Sequence, residues 1–134
     1  MCSQGTPMTH FKSISLLLIV AVLSGCAAQV PVVNLKALPV DDLQAIKAMR
    51  MLSATQLIGK QFTVVGLVEG NSCQHLLTDP PATRTAAIEQ VKYHAVVAKA
   101  DAIANVQCGG REEVSVHTNC WQLISCTAEA VTLQ

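Results

Sequence analysis

Aromatic side chains are scarce in this chain: two Phe, one Tyr and one Trp in 134 residues, of which only Phe62, Tyr93 and Trp121 lie beyond residue 26. Few large rings are available to fill an interior, so a core has to be built from Val, Ile, Leu and Ala. In a folded part of about 90 residues such a core is thin, and domains of that size commonly need covalent staples. Charge of one sign is missing too: nine Lys and Arg stand against nine Asp and Glu, with no basic patch or acidic block. Nucleic acid and other polyelectrolytes are therefore not expected as partners. Past Cys26 no apolar run is long enough to cross a bilayer. The sequence also offers no Cys-x-x-Cys, no Ser-His-Asp set, no paired carboxylates and no phosphate-binding glycine loop. An enzyme, a cofactor or a small-molecule substrate is not expected on those grounds.

What the chain does have is an address at its start. Lys12 supplies a positive charge, residues 14–23 form an apolar stretch of ten, and Leu23-Ser24-Gly25-Cys26 follows. Ten apolar residues are too few for a stable transmembrane helix but suit a signal peptide. Small residues ahead of Cys26 fit a lipoprotein signal peptidase, and the Cys26 thiol is where diacylglycerol would be attached. The expectation is a signal peptide over 1–25 and lipidation at Cys26. Ala27 stands where an aspartate would retain a bacterial lipoprotein at the inner membrane. That points to the outer membrane, with the domain facing the periplasm. Met8 is a second candidate start, and translation from it would leave out Cys2.

Residues 26–45 are read as the lipidated N-terminus and a short flexible tether, carrying Pro31 and Pro39 without a strong period. The next stretch stays open between two readings. Asp41-Asp42 followed by Leu43, Ile46 and Met49 has helical spacing, whereas 46–52 also alternates as a strand would. The folded domain is placed at 46–134. Within it, Ser53 and Gly59 bracket a short helix with Leu57 and Ile58 turned inward. A strand over 62–69 is expected to set Phe62, Val64 and Val68 on one face, with Gly66 marking a bulge or a close backbone approach. Gly70-Asn71-Ser72 would then turn the chain into Cys73. After Asp79-Pro80-Pro81 comes the clearest helix, 83–99, with Ile88, Val91, Ala95 and Ala98 as its apolar stripe. A strand over 102–107, a loop over 109–113 and a last strand or hairpin from Val114 or Cys120 to Leu133 complete the order. The fold class is α/β, a small two-layer sandwich of about four strands and two helices behind the signal peptide and tether.

Cys73, Cys108, Cys120 and Cys126 lie behind the export signal. Exported cysteines oxidise, so two disulfides are expected, and spacing alone leaves all three pairings open. A metal site is the rival, because Cys73-x-His75 and His117-x-x-Cys120 offer ligands at short spacing. Those spacings match no standard zinc pattern, and no metal is expected. His94, mid-helix, is expected at the surface or boundary.

Leu57-Ile58-Gly59-Lys60-x-Phe62 and Gly66-x-Val68-x-Gly70-x-Ser72-Cys73-Gln74 together resemble the RcsF family of outer-membrane lipoproteins. The resemblance continues through Asp79-Pro80-Pro81, Ala100-x-Ala102 and the remaining cysteines, and covers about residues 50–134 plus the lipobox. It implies non-consecutive bridges, Cys73–Cys120 and Cys108–Cys126, and a first strand over 46–52. It also implies a sensor of envelope stress for the Rcs phosphorelay. The partners implied are the barrel-assembly protein BamA, outer-membrane β-barrels and the inner-membrane regulator IgaA, whose inhibition the sensor relieves. The family's tether is typically longer, proline-rich and basic, whereas 27–45 hold only Pro31, Pro39 and Lys36. Threading of so short a tether through a barrel is in doubt, and the loop between Cys108 and Cys120 is longer than usual. A structural or assembly accessory lipoprotein of the same fold is the alternative function, and a periplasmic metal-binding or thiol protein the third.

Overall fold

The computed structural model describes residues 30–111 and 119–134. A 3₁₀ turn (Leu35–Ala37) leads into α1 (Val40–Ala48), β1 (Arg50–Leu52) and α2 (Ala54–Leu57). There follow β2 (Phe62–Gln74), α3 (Arg84–Val97), β3 (Ala102–Arg111) and β4 (Gln122–Leu133). The strands form one sheet in the order β1-β3-β4-β2. β1 runs parallel to β3, and β4 pairs antiparallel with both β3 and β2. α3 packs on one face and α1 packs on α3, so the domain is the two-layer α/β sandwich expected.

Local chemistry explains the helix ends. Thr83 Oγ1 accepts from Ala86 N at 3.1 Å, a side-chain cap that satisfies a free amide of the first turn. Ser53 caps α2 in a reciprocal box with Gln56, and Gly59 follows that helix at φ +76°, as the sequence predicts. Ile58, however, is turned outward and is 79% exposed; Leu57 alone is buried. The buried stripe of α3 is Ala87, Val91 and Ala95, all at 0% exposure. It thus begins at Ala87 in place of Ile88, and Ala98 is only half-buried. Small residues on that stripe let the helix lie close to the sheet.

The structure corrects the start of the domain. Residues read as tether already carry the 3₁₀ turn and most of α1, whose Ile46 is buried. Gln90 of α3 takes both backbone groups of Val33, donating from Nε2 to its carbonyl at 2.7 Å and accepting its N–H at 3.0 Å. Positions 41–52 resolve into both alternatives, helix to Ala48 and strand from Arg50, so the first strand is shorter than 46–52.

β2 and β3 are also longer than predicted. Gly70-Asn71-Ser72 does not turn but continues β2, pairing with Cys126, Ser125 and Ile124 of β4. Gly109, Gly110 and Arg111 continue β3. Positions 112–118, which include the rest of the predicted loop and His117, lie outside the described residues. Gly66 does mark a bulge, since the register shifts between Val64 and Gly66. That shift separates residues predicted to share a face: Val64 lies opposite Val131, and Val68 opposite Ala128.

Those two partners belong to different cores. Under α3 lie Met49, Ile103, Cys126, Ala128 and Ala130 with the helix stripe. On the other face Leu52, Leu57, Ala102, Ala104 and Val131 form a smaller cluster beside α2. The largest fully buried side chains are Ile103, Val91, Val131 and Cys126. The described interior is thus as thin as the composition implies.

Candidate functional site

The two bridges occupy one end of the sheet but very different environments. Cys108 and Cys126 face each other directly across β3 and β4, with Cα atoms 4.1 Å apart. Cys126 is fully buried in the core under α3. Cys73, next to the last residue of β2, joins Cys120, which immediately precedes Trp121 and β4; their Cα atoms are 5.5 Å apart. Neither belongs to a core cluster; Cys120 is buried, and Cys73 is half-buried, as is Cys108 of the other bridge. These are the pairs that the family resemblance implies, 47 and 18 residues apart.

The chain folds this way locally because polar side chains hold the backbone where β2 ends. Gln74 is buried and donates to the carbonyl of Asp79 at 2.9 Å. The Asp79 carboxylate in turn accepts from Leu76 N at 2.9 Å, which closes the turn after His75. Trp121 N donates to Gln74 O at 2.7 Å and fixes the approach to β4. Ser72 Oγ accepts from Thr83 N at 3.1 Å, tying β2 to the start of α3. Asn119 adopts φ 51°, a left-handed conformation that Asn tolerates, and presents its carbonyl to the His75 ring.

His75 was one of two histidines with metal-ligand spacing, and the structure brings it to Cys73 and Cys120. Its Nδ1 is 3.3 Å from Cys73 Sγ, and the three ligand atoms lie within 4.8 Å of one another. Both sulfurs are bonded to each other, so the trio as it stands offers a metal one nitrogen and no thiolate. His94 is half-buried on α3 with its ring edge-to-face against Tyr93.

A second feature escaped sequence reasoning. β2 is an edge strand of the sheet, and its first half is apolar and open to solvent: Val64 and Val65 are each 46% exposed and Leu67 81%. Across β2 the single charged residue is Glu69. Unpaired edge amides beside exposed valines and leucine form a surface suited to another protein. Adjacent Val64-Val65 gave a clue, because two apolar neighbours cannot both face inward from a regular strand. A shallow hollow lies over β3 and β4. Its lining includes Cys108, which is tied up in a bridge, and Ser125, whose hydroxyl donates to Asn71 Oδ1 at 2.6 Å, with no acid or base beside them among the described residues.

No curated protein matches the chain. A family model described as RcsF lipoprotein matches residues 21–134, which takes in Cys26, the whole described domain and all four bridged cysteines. With that span matched and the bridges paired as they are, the chain belongs to the RcsF lipoprotein family.

Proposed function

We propose that this protein is an outer-membrane lipoprotein, anchored through acylated Cys26, that reports envelope stress to the Rcs phosphorelay by protein–protein contact. The observation that carries the reading is the family match, which begins at residue 21 and so includes the lipobox as well as the domain. Residues 1–25 are then the signal peptide, and Ala27 after Cys26 favours the outer membrane over inner-membrane retention. Several acyl chains on one cysteine hold a protein firmly, since each buried methylene contributes about 0.8 kcal/mol. The domain presents the exposed apolar edge of β2 and no set of catalytic side chains among the described residues, which suits recognition of a partner better than turnover of a substrate.

In this reading the domain is held by BamA and outer-membrane β-barrels while assembly is normal, and reaches IgaA when it is not. The segment between Cys26 and Val33, where contact with α3 begins, is short. It lets the domain hang close beneath the membrane and gives little length for threading a barrel. Deleting the gene is expected to silence capsule and motility responses to envelope-damaging agents, and wild-type protein but not Cys26→Ala is expected to restore them. An unchanged response in the deletion strain would instead leave an accessory role in envelope assembly.

A further inference from the structure

Each bridge joins a buried cysteine, Cys126 or Cys120, to a half-buried one, Cys108 or Cys73, but among the described residues an imidazole stands beside only one of them. Cys108–Cys126 sits inside the β3/β4 ladder with Cys126 sealed under α3. Cys73–Cys120 lies outside both core clusters at the end of β2, with Cys120 buried, Cys73 half-buried and exposed His75 beside it. His75 Nδ1 stands 3.1 Å from the carbonyl oxygen of Asn119 as well as 3.3 Å from Cys73 Sγ. A carbonyl only accepts hydrogen bonds, so the ring must carry its proton on Nδ1. That N–H meets the Asn119 carbonyl, and the Cys73 sulfur lies 3.3 Å from the same nitrogen.

We infer that Cys73, Cys120 and His75 form a thiol–disulfide exchange site that accepts a small-molecule or protein thiol. The incoming thiolate bonds to the more accessible Cys73 sulfur. The Sγ–Sγ bond breaks and its electron pair leaves on Cys120, whose sulfur lies within 4.8 Å of a His75 ring nitrogen. A second external thiolate then attacks the external sulfur of the mixed disulfide and expels Cys73 as a thiolate, 3.3 Å from His75 Nδ1. The two external thiols end as one disulfide, and their two protons end on Cys73 and Cys120. A hydrogen-bond donor beside the departing sulfur stabilises the developing thiolate, and better leaving groups exchange faster. Opening this bridge forfeits its loop-closure contribution, while the second bridge and the β2–β4 pairing from Phe62 to Gln74 are the contacts left to hold the sheet.

The test is to treat the mature lipoprotein in detergent with excess reduced glutathione, quench with iodoacetamide and map the labelled cysteines over time. Cys73 and Cys120 are expected to label together while Cys108 and Cys126 stay bridged. His75→Ala is expected to slow that labelling about tenfold, the effect of a two-unit change in thiol acidity at a Brønsted coefficient near 0.5. The thermal midpoint of the oxidised His75→Ala protein should match wild type, which separates assistance to exchange from a structural role. Simultaneous opening of the two bridges, earlier opening of Cys108–Cys126, or wild-type or faster opening in His75→Ala would each overturn the inference.

Discussion

At Gly70 the absence of a side chain decides how closely α3 can lie on β2. A Cβ there would collide with the backbone of Ala87 and Val91 and lie 2.7 Å from Gln90 Cβ. Helix backbone cannot yield as a flexible side chain would, so overpacking at this place is expensive. Gly70→Ala is expected to cost about 3 kcal/mol, read from urea unfolding midpoints of the oxidised protein. Lys99 presents the opposite case. It ends α3 in a left-handed conformation, φ 58°, with Ala100 N donating to Ala95 O at 3.0 Å in a helix-terminating bond. A Cβ is disfavoured in that conformation and the Lys99 side chain is exposed, so little packing is lost with it. Lys99→Gly is therefore expected to stabilise by about 0.5–1 kcal/mol, net of the greater freedom glycine gains in the unfolded chain. A lower unfolding midpoint in that variant would show that Lys99 makes contacts that matter.

Among the elements, β2 carries most of what the sequence did and did not reveal. Its existence, its bulge at Gly66 and its approach to Cys73 were legible, because Phe62 to Glu69 is rich in β-formers and glycine interrupts it. Its faces were not. One extra residue at the bulge inverts the alternation, and a period-two reading carried across it sets Phe62 and Val64 with Val68. The glycines misled in the other direction: Gly70, Gly109 and Gly110 looked like turns, but Gly70 is a strand position crowded by a helix. For α1, propensity left both readings open, and contact with α3 selected the helix as far as Ala48. The bridging cysteines were legible as a set, while their pairing came only through family resemblance, since spacing constrains no partner. Edge exposure of β2 depends on strand order, which no local pattern encodes. Leu67→Lys tests that edge: at 81% exposure it should change stability by no more than about 0.5 kcal/mol. It is nonetheless expected to weaken crosslinking to envelope partners in intact cells, and undiminished crosslinking would move the contact surface elsewhere.

The molecule as a whole is a thin interior closed by covalent bonds. Among the described residues no aromatic ring is fully buried, and the buried strip of the main helix contains two alanines and a valine. Closing loops of 47 and 18 residues contributes about 4 and about 3 kcal/mol on a chain-entropy view, comparable with the whole stability of many small domains. Export, oxidation and shape are therefore one problem for this chain, and a membrane-tethered contact module fits that solution. Peptide mapping without reduction, on protein taken from the cell envelope and alkylated at once, tests this most directly. The account predicts Cys73 linked to Cys120, Cys108 linked to Cys126 and none of the four alkylated. Alkylated cysteines among these four, or Cys73 linked to Cys108, in folded protein from the envelope would contradict it.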